Sequence, residues 1–387
     1  MSARAGFTLA ELLIAATIVL VVMAGLAAVV DPGHAASRAQ TAAADIRLRL
    51  RAASEALAAE LEAAGSGPGN GVFGRPLGGI APAVVPLRLG PRGDPPGTVR
   101  SDALTIIAAP RTGAAAELAA AFVPASGVAL IAASAGCRAA DPACGLGAGQ
   151  TVAVLDGSGQ WDLFTVTAAA GASLGLQPRG AISGRPFPAG SRLVPVNVVC
   201  FFLQQGTASE GLQLMTGDAD QWELPVVDHL TGLTVEWFGE PTPPRLGSAG
   251  RPGVATYGPD PPPPGDDTVA DDWPQGENCT FFAFSGGQAS RLPGLAPVGT
   301  GLVPLPVAML ADGPWCPDGS AANRYDADLL RVRAIRVTLV AEASASMARG
   351  ADTRLFAHPG SLRDRSGVSA DWRTVFDVVP RALQAGR

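Results

Sequence analysis

The chain begins MSARAGFTLAELLIA (residues 1–15), where a polar leader ends at Gly6 and an apolar run follows from Phe7 to Val30. One charge interrupts that run, at Glu11. A helix rises about 1.5 Å per residue, so the run is long enough to cross a hydrocarbon core of about 30 Å. Because a carboxylate inside a membrane-length segment is costly, Glu11 is expected to have a function.

The small residue at which a peptidase could cut lies before the apolar core. An ordinary secretory signal is cut after its core, commonly at small residues. Cleavage at Gly6 would leave the helix on the mature protein as an anchor, with a positive amine on Phe7 one helical turn from Glu11. Arg4 fits the rule that positive charge stays in the cytoplasm, so the rest of the chain is expected on the outer side of that membrane. A plain signal anchor with a stray Glu11 is the alternative.

The order of Gly6, Phe7 and Glu11 resembles the signal of type IV prepilins, with Gly before the cut, Phe after it and Glu at the fifth mature position. The resemblance implies a prepilin peptidase that cuts after Gly6 and N-methylates Phe7. It implies that Glu11 pairs with the N-terminus of a neighbouring subunit and sets axial register in a filament. The expected location is the inner membrane, in a single pass with a periplasmic C-terminal domain, and a filament or pilus tip after assembly.

A second helical pattern follows Asp31-Pro32-Gly33, a stretch that is expected to kink or locally break the helix. Its apolar positions share one side, at Ile46, Leu50, Ala53, Leu57 and Leu61. Gly65-Ser66-Gly67-Pro68 is expected to end it. The sequence therefore predicts a cleaved leader at residues 1–6, a helix at 7–65 whose first half lies in the membrane, and a periplasmic β-rich domain at 66–387.

The remainder of the 387 residues favours strands and loops, with 48 glycines, 34 prolines and only 16% charged residues. Apolar or alternating segments predict strands at residues 103–108, 127–132, 151–155, 161–167, 193–204, 212–215, 233–237, 335–341 and 374–379. The predicted fold class is α+β, a long N-terminal helix packed on a large antiparallel β-rich domain. The Pro/Gly-rich segment 240–275 is interpreted as an exposed excursion; a contact surface for a partner is the alternative.

Further segments resemble the larger minor pilins of the PilW kind. Residues 56–65 (ALAAELEAAG) resemble their helix end, and 149–156 with 163–167 resemble their first hairpin. Residues 224–237 and 330–340 are similar to their central and penultimate strands, and Val379 to Leu383 resembles their C-terminal ending, with Ala382 where Asn is usual. J-type minor pseudopilins of type II secretion share this layout, whereas K-type pseudopilins usually lack the Glu that Glu11 supplies.

Five cysteines indicate disulfides in the oxidising periplasm. Cys137 and Cys144 flank a short loop and form the first candidate pair; Cys279 and Cys316 lie in polar, loop-like sequence and form the second. Cys200 is expected to be a buried free thiol in a strand. A metal site is not predicted, because no Cys-x-x-Cys pair or adjacent His is present.

Motifs of enzymes are absent from the sequence, which contains no Gly-x-Ser-x-Gly elbow, P-loop or His-Glu-x-x-His. The acidic residues between 260 and 272 could bind calcium, but their spacing matches no loop template, and we interpret them as solvated. A net charge of −6 gives no support for a nucleic-acid surface. We therefore expect no enzyme, no cofactor and no nucleic-acid partner.

The predicted function is structural. The chain is interpreted as a minor pilin that primes assembly of a type IV pilus-like filament or caps it, with other pilins or pseudopilins, the prepilin peptidase and the inner membrane as partners. The alternatives are a minor pseudopilin of a type II secretion system and a membrane-anchored periplasmic binding protein.

Overall fold

A computed structural model describes residues 8–69, 71–95, 98–111, 115–132, 141, 143–157, 160–180, 182, 186–205, 212–240, 255–256, 280–285, 288–291, 301–310, 327–354, 356, 358–361 and 372–384. The chain forms two compact units, Met1–Arg49 with Ala341–Trp372, and Leu50–Val340 with Arg373–Arg387. The second unit contains nearly all of the strands.

The described residues form two helices, α1 (Leu9–Ala63) and α2 (Arg381–Gln384), and a long series of strands. The strands are β1 (Val84–Val85), β2 (Ala103–Ala108), β3 (Ala116–Leu118), β4 (Val128–Ala132), β5 (Thr151–Leu155), β6 (Trp161–Ala170), β7 (Ser173–Pro178), β8 (Arg192–Pro195), β9 (Asn197–Gln205), β10 (Leu212–Gly217), β11 (Glu223–Asp228), β12 (Leu230–Gly239), β13 (Ala255–Thr256), β14 (Thr280–Ser285), β15 (Gln288–Arg291), β16 (Val303–Leu305), β17 (Val332–Ala341) and β18 (Trp372–Val378). An N-terminal apolar helix and a large antiparallel β-rich domain confirm the predicted α+β class.

Helix α1 has an exposed apolar part and a part with a buried stripe. Every side chain from Leu9 to Ala28 is exposed, and the mean hydropathy of this span is 2.5. The predicted stripe is confirmed, because the residues that recur every three or four positions are all buried, at Ile46, Leu50, Ala53, Leu57 and Leu61. The helix therefore changes from a uniformly apolar surface to an amphipathic one.

The helix continues through Asp31-Pro32-Gly33, where the sequence predicts a kink or a local break. The backbone is helical from Leu9 to Ala63, so the helix is not broken there. Proline removes one backbone donor and crowds the preceding turn, at a cost of about 3 kcal/mol. Helix formation is cooperative, so the long helical segments on both sides keep the backbone helical despite the free-energy cost of Pro32.

Gly65 ends the helix, as the sequence predicts. Its φ of 69° lies in the left-handed region, which glycine adopts without strain. Its backbone N–H donates to the carbonyl of Ile107 at 2.9 Å, and its carbonyl accepts from the N–H of Gly78 at 3.1 Å. A Cβ there would lie 3.0 Å from both the Cβ of Ala83 and the Cα of Gly78. The helix end is thus tied into the β-rich unit through backbone atoms that leave no room for a side chain.

A five-stranded sheet with the order β1-β2-β9-β10-β11 forms part of the β-rich unit. Strand β2 is buried along nearly its whole length and pairs antiparallel with β9 from Ala103↔Phe202 to Ala108↔Asn197. The predicted strand at residues 193–204 is wrong in one respect, because the chain forms two strands that are separated at Val196. Strand β9 belongs to the five-stranded sheet, whereas β8 pairs with β3 and β5.

A closed barrel with the order β3-β4-β7-β6-β5-β8 lies between β2 and β9 in the chain. Phe122, Phe164 and Phe187 fill its interior, with ring centroids 5.4 to 6.4 Å apart. Ala108 and Asn197 are direct partners in the sheet, so the chain leaves the sheet and returns to it at adjacent positions. The barrel is therefore an insertion, and the sequence analysis did not predict it.

Arg179 links the barrel to the five-stranded sheet. Its side chain is 3% exposed, and its Nη2 donates to the carbonyl of Asp218 at 2.6 Å in the turn between β10 and β11. The same guanidinium lies 3.1 Å from the Asp218 carboxylate and 3.3 Å from that of Asp220. A buried arginine must have its donors satisfied, and the turn supplies most of the acceptors.

A four-stranded sheet with the order β16-β12-β17-β18 and a three-stranded sheet, β13-β14-β15, complete the described strands. The predicted alternation is present in β12 and β17, whose inward residues Leu233, Val235, Ile335 and Val337 are buried. Of the predicted excursion at 240–275, the structure describes Glu240 and the two residues of β13; the rest lies outside the described residues. Its exposure stays a prediction.

In the smaller unit, described residues between Glu342 and Ser361 surround the buried carboxylate of Glu342. Arg349 Nη1 donates to Glu342 Oε1 at 3.0 Å, and the backbone N–H of His358 donates to Oε2 at 3.3 Å. The Nδ1 of His358 also hydrogen-bonds to Oε1. A Cβ on Gly360 would lie 2.1 Å from the carbonyl oxygen of Ser346, so this close approach requires glycine. The carboxylate thus organises the loop around it.

Candidate functional site

The candidate site begins at the first described residues of the chain. Gly6 and Phe7, the predicted cleavage and methylation residues, lie outside the described residues, so their roles stay predictions. Thr8 and Glu11 are described and lie one turn apart at the start of α1. The geometry of this first turn determines where the Glu11 carboxylate is held.

Thr8 and Glu11 form a reciprocal cap. The backbone N–H and the hydroxyl of Thr8 both donate to Glu11 Oε2, each at 2.9 Å, and the N–H of Glu11 approaches the Thr8 hydroxyl oxygen at 3.3 Å. The carbonyl of Thr8 accepts the first helical bond, from the N–H of Leu12 at 3.2 Å. This is the capping-box arrangement, in which a Thr at the helix start and a Glu three residues later satisfy each other's backbone donors.

The surface around this cap is apolar and exposed. Leu12, Leu13 and Ile14 are 66%, 57% and 60% exposed, and none of the window that qualifies Leu9–Ala28 as a candidate membrane span is buried. A carboxylate on such a surface loses its water when the helix enters a bilayer, which is costly unless other donors replace the water. The two Thr8 donors supply part of that replacement within a single subunit.

Thr8 is the functional residue that the sequence analysis missed. The pattern Thr8-Leu9-Ala10-Glu11 is a capping-box signature, so the signal was present in the sequence. From the charge of Glu11, the sequence analysis predicted a partner on a neighbouring subunit and no partner within the chain. The structure shows that the same carboxylate also has a partner within its own chain.

Residues 1–27 match the family of the prokaryotic N-terminal methylation motif. The chain therefore carries a type IV pilin-like signal. The match ends within the apolar helix, so it supports a pilin-like or pseudopilin protein and does not extend to the β-rich domain. No curated protein and no solved structure matches the chain.

The signal and the apolar helix together fit a membrane-anchored, single-pass protein. Leu9–Ala28 is the one helix among the described residues that is long and apolar enough to cross a membrane. The signal is typical of a structural class of pilin-like proteins. The cap formed by Thr8 and Glu11 lies at the beginning of that helix.

The cysteines are only partly described. Cys200 is confirmed as a buried free thiol in β9, with its Sγ 3.1 Å from the Thr105 hydroxyl oxygen, and burial raises the pKa of the thiol. Cys144 is buried and disulfide-bonded. Cys137, Cys279 and Cys316 lie outside the described residues, so both predicted pairings stay predictions.

The three histidines lie in different surroundings. His34 lies on α1, His229 lies between β11 and β12 with a φ of 54°, and His358 contacts Glu342. Within the described ranges, no group of three or more His, Cys, Asp or Glu side chains is arranged to hold a metal ion. The acidic residues between 260 and 272 lie outside those ranges, so their interpretation as solvated side chains stays a prediction.

Proposed function

We propose that this chain is a minor pilin that primes assembly of a type IV pilus-like filament or caps it. Prepilin peptidase cleaves the leader, residues 1–6, and N-methylates Phe7. The mature chain then stands in the inner membrane with residues 66–387 in the periplasm. The observation that carries the proposal is a single carboxylate, Glu11, held at the start of an exposed apolar helix within a methylation motif at residues 1–27.

The assembly contact follows from the chemistry of the first turn. Both Thr8 donors are accepted by Glu11 Oε2, and within the described residues Oε1 has no hydrogen-bond donor. The amine created at Phe7 needs an anionic partner in the membrane. Glu11 Oε1 of one subunit is available to the Phe7 amine of a neighbouring pilin or pseudopilin, which sets the axial register between helices.

The size of the β-rich domain supports a minor role. A subunit in the body of a filament has neighbours above and below, so its globular domain must fit within the helical repeat. This chain has a complete barrel inserted between β2 and β9 in addition to its sheets. A domain of that bulk is accommodated more easily at the end of a filament, where one side has no neighbour.

Two alternative functions are compatible with some of these observations. A minor pseudopilin of a type II secretion system has the same signal, and genes for a secretion channel beside this gene would favour it over pilus genes. A membrane-anchored periplasmic binding protein needs the anchor but no filament. Its activity would persist in a strain that makes no filaments.

The proposal is tested by separating the charge of Glu11 from its role as a cap. Glu11→Gln removes the charge but keeps a side-chain oxygen that can accept hydrogen bonds from Thr8. The cap is retained because Gln also forms capping boxes. Glu11→Ala removes both, and Thr8→Ala keeps the charge and the backbone donor but removes the two contacts of the Thr8 hydroxyl. Surface filaments are counted in strains that carry each variant, with the amount of membrane-inserted protein measured alongside.

We expect Glu11→Gln and Glu11→Ala to lose filaments to the same extent, because both lack the charge that pairs with the neighbouring amine. Full assembly by Glu11→Gln, together with failure of Thr8→Ala, would instead assign Glu11 to the cap alone. Undiminished assembly by Glu11→Ala would overturn the proposed function.

A further inference from the structure

Strand β18 is an edge strand that neither proline nor short length protects against pairing. It is the outer strand of the sheet β16-β12-β17-β18 and has seven residues without proline. The other edges of the two larger open sheets are blunted, since β1 has two residues, β11 contains Pro225 and β16 contains Pro304. An unblocked edge presents backbone donors and acceptors to another strand.

The outward face of β18 carries a self-complementary set of side chains. Arg373, Val375 and Asp377 alternate on that face and are exposed, Val375 by 51%. Asp377 accepts two bonds from Arg336 on β17, at 2.8 and 3.2 Å. Arg373 makes no ion pair with any residue that the structure describes. One cation, one apolar residue and one anion thus stand at equal spacing along the edge.

We infer that β18 pairs antiparallel with β18 of a second copy of this chain, with Val375 opposite Val375. In that register, Arg373 of each copy lies opposite Asp377 of the other. Directly opposed residues have Cβ atoms about 4.5–5.5 Å apart, so each opposite-charge pair is in contact. The two copies form one continuous sheet across the pair.

Charge selects this register against its alternatives. Parallel pairing in register places Arg373 opposite Arg373 and Asp377 opposite Asp377, which is repulsive. A shift of the antiparallel register by two residues separates Arg373 from Asp377: one direction places Asp377 opposite Val375, and the other places Arg373 opposite Val375 and Asp377 opposite the sequence position of a second aspartate, Asp371. Asp377 retains its contact with Arg336, so each anion then lies between two arginines.

The membrane anchor favours dimer formation through a contact as short as one strand. Pairing of one edge strand is weak by itself, but two copies that are anchored in one membrane have a raised effective concentration. The pairing does not depend on the proposed place in a filament. It requires only two anchored copies, and its contacts involve neither Thr8 nor Glu11.

Cross-linking of the full-length chain in its membrane tests the register. Val375→Cys places two thiols opposite each other, with Cα atoms about 4.5–5.5 Å apart, which is within disulfide reach. Arg373→Cys is the matched control, because its two copies are separated by four residues, about 13 Å along the strand. Mild oxidation and non-reducing electrophoresis then show the dimer, with the unsubstituted chain as background.

A charge exchange tests the partner. Arg373→Asp with Val375→Cys opposes two anions, and Asp377→Arg with Val375→Cys opposes two cations. When the two variants are co-expressed, each anion lies opposite a cation again. At about 0.2–1 kcal/mol per opposed pair, we expect each variant alone to lose about fivefold in cross-linking and the mixture to recover it.

The inference is supported if Val375→Cys forms the dimer, Arg373→Cys does not, and the mixed variants restore what each loses. It is overturned if Val375→Cys gives no dimer above background or if Arg373→Cys cross-links equally well. It is also overturned if the charge variants cross-link as well alone as together. Recovery in the mixture shows that both variants fold, and protease resistance of each variant gives an independent check.

Discussion

Thr8 and Glu11 cap the first turn of α1 together, with Glu11 Oε2 2.9 Å from both the backbone nitrogen and the hydroxyl oxygen of Thr8. The Glu11 carboxylate is therefore held in place by its own chain. In the proposed assembly, a neighbouring subunit would meet an oriented acceptor at the start of a formed helix, and this orientation would lower the entropy that must be lost on assembly.

Removal of the Thr8 hydroxyl should loosen this first turn. We expect Thr8→Ala to weaken the helix start by about 0.5–2 kcal/mol, whereas Thr8→Ser, which keeps the hydroxyl, should stay close to the original chain. Hydrogen exchange of the N-terminal peptide in lipid nanodiscs measures the difference. Thr17→Ala is the control, because the Thr17 hydroxyl bonds only the carbonyl of Ile14 and caps nothing. Equal protection in Thr8→Ala and Thr8→Ser would contradict the cap.

The buried stripe of α1 should be stabilising, and two leucines of the same helix allow a matched comparison. Leu57 is 0% exposed and Leu48 is 68% exposed. We expect Leu57→Ala to lower the free energy of unfolding by about 2–5 kcal/mol, because it leaves a cavity in a packed core. Leu48→Ala should change it by less than about 0.5 kcal/mol. Denaturant titration in detergent measures both, and similar losses would show that the stripe is not a core contact.

Asp218 should make the β-rich unit sensitive to acid. Burial by itself would raise the pKa of this carboxyl, but the N–H groups of Trp222, Asp220 and Gln221 and the Arg179 guanidinium hold the pKa below its ordinary value. The charged form is thus favoured by folding. Its contribution to stability is complete above the unfolded pKa of about 3.9 and is lost as the pH falls through the lower folded pKa.

Asp218→Asn should therefore reduce stability at neutral pH, and its difference from the original chain should shrink below about pH 4. Thermal unfolding over pH 2–7 gives the comparison. A difference that stays constant down to pH 2 would show that the Asp218 carboxylate does not contribute in this way.

The number of cysteines that react with iodoacetamide tests the predicted disulfide pairings. Cys200 is buried and its pKa is raised, so the folded chain should not react there with iodoacetamide. If Cys137–Cys144 and Cys279–Cys316 are the two disulfides, the unfolded chain should add one label without reductant, at Cys200, and label all five cysteines after reduction. Peptide mass spectrometry locates the labels. Labelling of Cys279 or Cys316 without reductant would contradict the second pairing.

Local patterns predicted the parts of the fold that are set by local chemistry. The apolar spacing from Ile46 to Leu61 predicted the buried face of α1, and the alternation around Val235 and Val337 predicted two strands of the four-stranded sheet. Strands β2 and β5 have the predicted bounds, because a short apolar run is sufficient to define a buried strand.

The barrel could not be predicted in that way. Strand β3 has three residues, and β7 contains Gly175 and Pro178, so neither has a strong pattern. Closure depends on the pairing of β3 with β8, between residues such as Glu117 and Arg192 that are far apart in the sequence. The grouping of Glu342 with His358 arises from loop folding, which alternation does not encode. The cap at Thr8 is different, because its pattern was available in the sequence.

The proposed function requires that the chain is processed as a type IV prepilin and keeps its apolar helix. Mass spectrometry of the N-terminal peptide of the mature protein, purified from membranes, tests it most directly. We predict a chain that begins with N-methylated Phe7 and retains Glu11. A mature chain that begins at Met1, or one that is cut beyond Ala28, would exclude this processing.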